Sequence, residues 1–569
     1  MIERSNKLYE AIGARYRSGQ GVSVLALKSS YDVIVAGAGH NGLTAAAYLA
    51  RAGLSVLVLE RNDWIGGAAV SRSLHEGWTY SNCSYVCSLL RREIARDLDL
   101  PKYGLQVIPY EGGASFTRDG DYFAYYSDHD ALRREMARHS PRDADAYPRY
   151  AQAIMRQCRF IRPFLLRDAP DPASMAPRDL GEMGYLVKKA WGLGKRELGE
   201  TLRFWTMSIG DFLDEHFEND LIKAHLAGSG IIGTGLGVYS PGTAYVLLHH
   251  YMGDIDGGIG AWGFARGGMG AISKALGAAL EDHGGTIHRG AGVAEILVRD
   301  GRVTGVALED GREFTAPIVA SNLDVKRTFL RHVDRAALPG EFVRQVERFK
   351  IRGSSAKLNI ALDAMPAFPA APPHASFLRG DMHCSESLWA LERAYDDWKS
   401  GRWSAEPYVD MLIPSQIDPT MAPPGSHMMT VFVQYAPYDL AVNGTRSGEN
   451  WDATQRAALA ETVLNQMSIA CPDIRERILH MEVRSPLDLE REVGLTEGNI
   501  FQGELTFDQL FFNRPVPGFS QYESPVKGLY LCGSSAHPGG GVMGAPGANA
   551  ARAILRRAGK GATMKGYAA

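Results

Sequence analysis

Cysteine is scarce in this sequence. Six are spread over 569 residues, at Cys83, Cys87, Cys158, Cys384, Cys471 and Cys532. No C-x-x-C pair occurs, which argues against a redox dithiol, half of a zinc site or a disulfide framework. Scattered thiols fit a reducing compartment, so a cytoplasmic protein is expected. Also missing is an unbroken apolar run of the ~18 residues needed to span a bilayer. Residues 226–253 come nearest, with no Lys, Arg, Asp or Glu, but they are broken by glycines, Pro241, His249 and His250. They read as a buried or ligand-facing segment, with peripheral contact to one face of a membrane left open. Residues 1–30 carry five basic side chains and lack the apolar core of a signal peptide, so residues 1–29 read as a loose extension. A basic excess is lacking too: 61 Lys+Arg against 64 Asp+Glu gives −3, which argues against a nucleic-acid partner.

What remains is a soluble globular composition, 45% apolar and 22% charged, in a chain long enough for several domains. Glycine is the exception. There are 63 in 569 residues, about 11% against a usual ~7%.

The glycines have context. Residues 31–36 (YDVIVA) read as a buried parallel strand ending in glycine. Residues 42–52 are Ala- and Leu-rich and stop at Gly53, and 55–60 (SVLVLE) read as a second buried strand. This is a βαβ unit. Residues 120–222 have helical periodicity. Asp300-Gly301 and Asp310-Gly311 punctuate a small antiparallel meander, and 528–532 form a strand before a Gly-rich loop and an Ala-rich helix at 547–555.

G-x-G-x-x-G occurs at Gly37, Gly228, Gly258 and Gly539. The first lies between strand and helix. Gly37 makes the tight turn, Gly39 lets backbone approach a diphosphate, and Gly42 lets helix and strand pack. Glu60, at the end of the second strand, can accept from a ribose hydroxyl. The matches at Gly228 and Gly258 lack that context and read as closely packed backbone, and the Asp254/Asp256 pair beside the latter as solvated. The fourth match is again a strand-to-helix turn. Two such turns at opposite ends of one chain suit a single long cofactor, FAD, better than NAD.

The segments carrying these turns, 33–71, 266–306, 417–427, 499–515 and 529–552, resemble the phytoene desaturase-like FAD-dependent oxidoreductases. That family includes carotenoid desaturases and, in the branch most similar here, carotene ketolases and the animal pyridine nucleotide-disulfide oxidoreductase domain-containing protein 2. The resemblance implies an α/β fold: a Rossmann-type FAD-binding domain interleaved with a mixed α+β substrate domain, as in the amine oxidases. The FAD domain would comprise 30–115, 260–330 and 500–560, and the substrate domain 116–259 and 331–499. By position it implies cofactor contacts from Gly37, Gly39, Gly42, Glu60, Arg61, Gly66, Gly67, Ala68, Val293, Gly533, Gly541, Val542, Met543 and Gly544. Ala68 stands where the family has a basic residue, and Arg72 is the nearest substitute.

Such an enzyme moves hydride from substrate to flavin. An apolar small-molecule substrate, polyene- or isoprenoid-like, is expected. Phe204, Trp205, Met207, Ile231, Tyr239, Tyr245, His249 and Met252 are the candidate lining, and His537 the candidate acid/base or loop-stabilising group. Ketolation, isomerisation, saturation, oxidation of a small amine or alcohol, and an interaction protein with little turnover are alternatives. A homodimer is compatible with the sequence.

Overall fold

A computed structural model describes residues 27–559. The expected extension, residues 1–29, lies almost wholly outside the described residues.

Five short strands form a parallel sheet: β1 (Val33–Ala36), β2 (Val56–Leu59), β3 (Thr286–His288), β4 (Val319–Ser321) and β5 (Leu529–Leu531). Their spatial order is β3-β2-β1-β4-β5, the doubly wound arrangement that opens a crevice at the carboxyl ends of its strands. Every residue of β1, β2, β4 and β5 is buried, which is why they read as unbroken apolar runs. Helices α2 (Gly270–Asp282) and α3 (Ala545–Arg557) both pack against α1 (His40–Arg51). Beyond α1, Gly53 takes a left-handed φ of 79° with open space around it, so the helix stops there. The meander is present as Val293–Arg299, Arg302–Leu308 and Glu313–Thr315. Asp300 and Gly301 both have positive φ, as a type I′ hairpin turn requires.

The second sheet has seven strands, in the order 478–484, 355–362, 427–434, 408–412, 381–383, 113–116 and 122–125. All neighbours are antiparallel except 381–383 with 113–116. The strand Gly113–Phe116 straddles the expected boundary at 115 and pairs only within this sheet. Conversely, Phe342, Val343 and Val346, beyond the expected boundary at 330, pack in the core of the parallel sheet.

Alternation divides the second sheet into two faces. Ala356, Leu358, Val409, Met411, Val431, Val433 and Met382 share one core with Leu459 and Val463 of the helix Ala453–Met467. The intervening residues face the other way. Register aligns five of them in a row across five strands: Lys357 opposite Phe432, Phe432 opposite Asp410, Asp410 opposite His383, and His383 opposite Ser115. A layer including Pro141–Ile161, Asp220–Ala227 and Thr243–Tyr251 covers this face. The long helix Pro177–Thr206 kinks at Gly194 and leaves Leu180, Val187, Trp191 and Leu202 exposed. No helix among the described residues is long and apolar enough to cross a membrane.

Candidate active site

A cleft of ≈ 1000 Å³ opens at the carboxyl ends of β1, β2 and β4. Its floor is the first glycine turn. A Cβ on Gly39 would stand 2.5 Å from Asn322 Nδ2, and one on Gly42 would strike the Gly37 carbonyl. Gly37 needs its φ of 95°. The second turn is laid against the first: Gly66 N donates to Ala38 O at 2.8 Å, and a Cβ on Gly67 would meet Gly39 Cα at 3.2 Å. Helix α1 begins at this point without a side-chain cap, so its first N–H groups face the cleft. Glu60 accepts from Ala38 N at 2.9 Å and Asn62 N at 3.0 Å, tying the turn to the end of β2. Burial nevertheless holds its carboxyl above the usual range.

The far end of the chain closes the cleft. Asn41 Nδ2 donates to Ser534 Oγ at 3.0 Å, and a Cβ on Gly547 would collide with the Asn41 carbonyl where α3 crosses α1. The two glycine-rich turns therefore meet, as their strand-to-helix contexts suggested.

Of the expected cofactor contacts, Gly37, Gly39, Glu60, Arg61, Gly67, Ala68 and Val293 line this cleft. Gly42 and Gly66 hold the turns from behind. Gly533 packs on Asn322 backbone, and its neighbour Ser534 faces the cleft instead. Arg72 does not line it, because Glu492 takes its guanidinium. Arg327, which sequence reading missed, does. It is mostly buried, and its Nε makes no hydrogen bond, with Asp324 Oδ2 4.0 Å away. Also missed were Asn41, Asn322 and Gln502. Asn322 follows β4 directly, so the rule that ligands sit beyond strand ends was the available signal.

The donor set fits FAD. The cleft combines a glycine cradle, an uncapped helix start and a buried carboxylate at a strand end. His40 Nε2, Asn41 Oδ1 and Gln502 Oε1 are buried there without a partner in the protein, as groups awaiting a polar ligand would be.

His40, Ala68 and Ile500 also line a second space of ≈ 910 Å³. Its walls are mainly apolar: Val86, Leu89, Ile232, Trp262, Phe432, Phe501 and Val542. Gly541 and Val542, expected as cofactor contacts, line this chamber and not the cleft. Val542 is a β-branched residue at a φ of 57°, a conformation that costs about 1–3 kcal/mol and is concentrated at functional sites. Met543 and Gly544 stand behind it. The Met543 carbonyl accepts from Arg91 N, and Gly544 caps α3 at a φ of 72°.

Lys357 enters this chamber from the second sheet. It is 3% exposed, and its ammonium donates to the carbonyls of Ser81 and Cys83. Burial lowers its pKa to about 7. Tyr85 lies beside it, with Lys357 Nζ 5.4 Å from the ring centre, and donates to Asp410 Oδ2 at 2.6 Å.

The expected substrate lining needs correction. Phe204, Trp205, Ile231, Tyr245 and Met252 are buried among themselves and their neighbours, with Met207 and Tyr239 packed against them. None of the eight candidates lines the chamber. His249 donates to the Gly540 carbonyl at 2.8 Å, using its proton to hold the loop. Their sequence neighbours Ile232 and His250 face the chamber instead. The error is one of helical and turn phase: the correct segment was found, but not its face.

His537 lines neither the cleft nor the chamber. Its Nε2 bonds the Phe164 carbonyl at 3.1 Å, its own carbonyl accepts from Tyr522, and burial lowers its pKa to about 4. The loop-stabilising reading fits these contacts and the acid/base reading does not. Asp254 is also not solvated. It is buried and pairs with Arg162 at 2.7 Å, because the Asp254–Ile259 hairpin folds back onto the helix Pro141–Ile161.

Comparison with known proteins agrees with this architecture. The profile of the family described as flavin containing amine oxidoreductase matches residues 42–555. The chain is 38% identical over 552 residues to pyridine nucleotide-disulfide oxidoreductase domain-containing protein 2 of Mus musculus, covering 93% of this chain and 94% of that one. It is 25% identical over 541 residues to a phytoene desaturase (lycopene-forming) of Paracoccus sp., covering 91% and 96%. Among solved structures, cyclohexylamine oxidase from Brevibacterium oxydans superimposes with a TM-score of 0.55 at 15% identity, over 94% of this chain and 99% of that one, a likeness of fold. The chain belongs to the flavin containing amine oxidoreductase family and is an FAD-dependent oxidoreductase.

Proposed function

We propose that this enzyme removes hydride from a carbon of an apolar, polyene- or isoprenoid-like chain lying in the chamber beside the cleft. The observation that carries this reading is the chamber itself. It is largely apolar, and it shares His40, Ala68 and Ile500 with the cleft.

The cleft residues would hold FAD. The backbone at Gly37, Gly39 and Gly67 would leave room for the diphosphate, the α1 amides would donate to it, and Glu60 would accept from the ribose. Arg61 and Arg327 supply positive charge along the same wall. Bound there, the flavin supplies the hydride acceptor.

The protein's own tasks are positioning, exclusion of water and proton handling. Leu89, Ile232, Trp262, Phe432 and Phe501 orient an apolar chain and keep water out. Lys357 is the proton acceptor. Burial brings its pKa to about 7, so the neutral amine is substantially populated at physiological pH, as a general base requires. Its anchors on the Ser81 and Cys83 carbonyls fix where it sits.

Anaerobic reduction of the bound flavin by candidate substrates, followed by loss of its visible absorbance, tests this reading. Bleaching by isoprenoid or polyene chains is expected. Bleaching only by small polar amines would overturn it in favour of amine oxidation on the same scaffold.

A further inference from the structure

Beyond the apolar chamber lies another space, ≈ 1200 Å³, and Ile232 and Trp262 line both. Its chemistry is the opposite. No Lys or Arg is among its lining residues, while Asp381, Asp410 and the exposed Glu111 are. Tyr110, Tyr251 and Tyr408 supply aromatic wall, and Trp262 is shared with the apolar chamber.

The acids are built in rather than merely near one another. Asp410 is 1% exposed and His383 4%. His383 Nε2 is engaged by Asp381 Oδ2 at 2.8 Å, and Tyr85 donates to Asp410 Oδ2. Asp410 Oδ1, His383 Nδ1 and the Tyr110 hydroxyl are buried and have no hydrogen-bond partner, the first two facing each other as an ion pair at 3.9 Å, too long for a hydrogen bond. A buried carboxylate oxygen with nothing bonded to it is expensive to keep. A wall of acids and electron-rich rings with no Lys or Arg, and with His383 and His225 as its only basic side chains, attracts positive charge once those imidazoles are neutral.

We propose that this inner chamber binds an organic ammonium group, carried on the end of the chain whose carbon is oxidised in the apolar chamber. The inference rests on the reading of that chamber given above. It adds that the substrate is amphiphilic, with its charge held away from the reacting carbon. An inorganic divalent ion is the competing occupant, since ligand atoms of Asp381, His383 and Asp410 lie within 4.8 Å of one another. The organic cation is favoured for two reasons. The aromatic walls suit a large, weakly hydrated cation, and Asp381 already occupies one nitrogen of His383.

The site has a pH signature. Burial raises Asp410 to about 7, with the Asp381 charge adding to the effect and His383 opposing it. Asp381 and His383 face it from the neighbouring strand, Tyr408 from its own strand and Tyr85 from the preceding loop. His225, Tyr110 and Tyr251 surround the same chamber. Despite burial, the Asp381 carboxylate holds His383 above its ordinary value, and burial lowers His225 to about 3. A cation binds the ionised form of Asp410 better. Its affinity therefore rises as pH passes upward through about 7, with uptake of the cation and release of a proton linked.

The holoenzyme is titrated calorimetrically with octyltrimethylammonium and with octanol at pH 6, 7 and 8. The ammonium is expected to bind about tenfold tighter than the alcohol at pH 8, and to tighten by roughly tenfold from pH 6 to pH 8. In Asp410→Asn both the preference and the pH dependence are lost; Asp381→Asn is the second variant should the first fail to retain FAD. Equal binding of the two probes, or an unchanged preference in both variants, overturns the proposal while leaving the apolar-chamber reading standing. Binding of Mn²⁺ alone at one per chain, abolished in Asp410→Asn, overturns it in favour of a metal. Failure of either octyl probe to bind overturns the apolar-chamber reading as well.

Discussion

The nucleotide cleft and the two chambers beyond it are built in different ways. The cleft is made largely of backbone: glycines at strand ends, an uncapped helix start and carbonyls packed close together. The chambers are made of side chains, one or two from each of many elements, brought together by the register of a sheet and the phase of a helix layer. The first kind of site depends on having no side chain at set positions, and the second on which side chain faces inward. The two should therefore fail differently when mutated.

The largest effect should come from the cleft. Gly39→Val places a branched side chain against Asn322. It should cut FAD affinity by about tenfold or more, read from the flavin absorbance of the purified protein. Full flavin occupancy in that variant would refute the backbone cradle. Next comes Lys357→Met, which should leave FAD bound but slow flavin reduction by about 10²–10⁴. In the parent enzyme that rate should rise with pH through about 7 as the amine loses its proton, and the inflection should vanish in the variant. A variant with an unaltered pH profile removes Lys357 from proton transfer. Trp262→Ala removes a ring that lines both chambers. It should raise KM by about tenfold with a smaller change in kcat, since lost packing weakens ground state and transition state alike; a fall confined to kcat would place Trp262 in the chemistry. The smallest effect is expected at Gly53, a left-handed glycine with open space around it, outside the cleft. Gly53→Ala should cost about 1 kcal/mol of stability with flavin content unchanged. A loss of FAD there would show that left-handed glycines matter wherever they occur, and the contrast would fail.

The same contrast explains what the sequence disclosed. The residues 37–42, Glu60 and the two D-G turns are local patterns, because each satisfies a constraint set by its immediate neighbours in the chain. Lys357 is different. In the run Ser355–Leu362 it interrupts a buried apolar strand, but nothing nearby in sequence says that Phe432, Asp410 and His383 will stand beside it in one row. That row exists only once three further strands have paired. The segment 226–253 was legible as buried, yet whether Ile231 or Ile232 faces the cavity depends on a turn whose phase no periodicity fixes. His537 stood at a suggestive place, between the last strand and its helix. Its direction was set by the Phe164 carbonyl, 373 residues away in sequence.

The contact between Asn41 and Ser534 spans 493 residues, and β5 completes the parallel sheet only at Leu529–Leu531. During synthesis at about 5–20 residues per second, the opening βαβ unit is made early and then waits roughly 25 to 100 seconds for its last wall. Throughout that interval its glycine turn is exposed to solvent on the side that Ser534 and α3 will later cover. A chain cut short before residue 529 would therefore carry the dinucleotide motif intact and lack the strand, Ser534 and the helix that close the cleft around it.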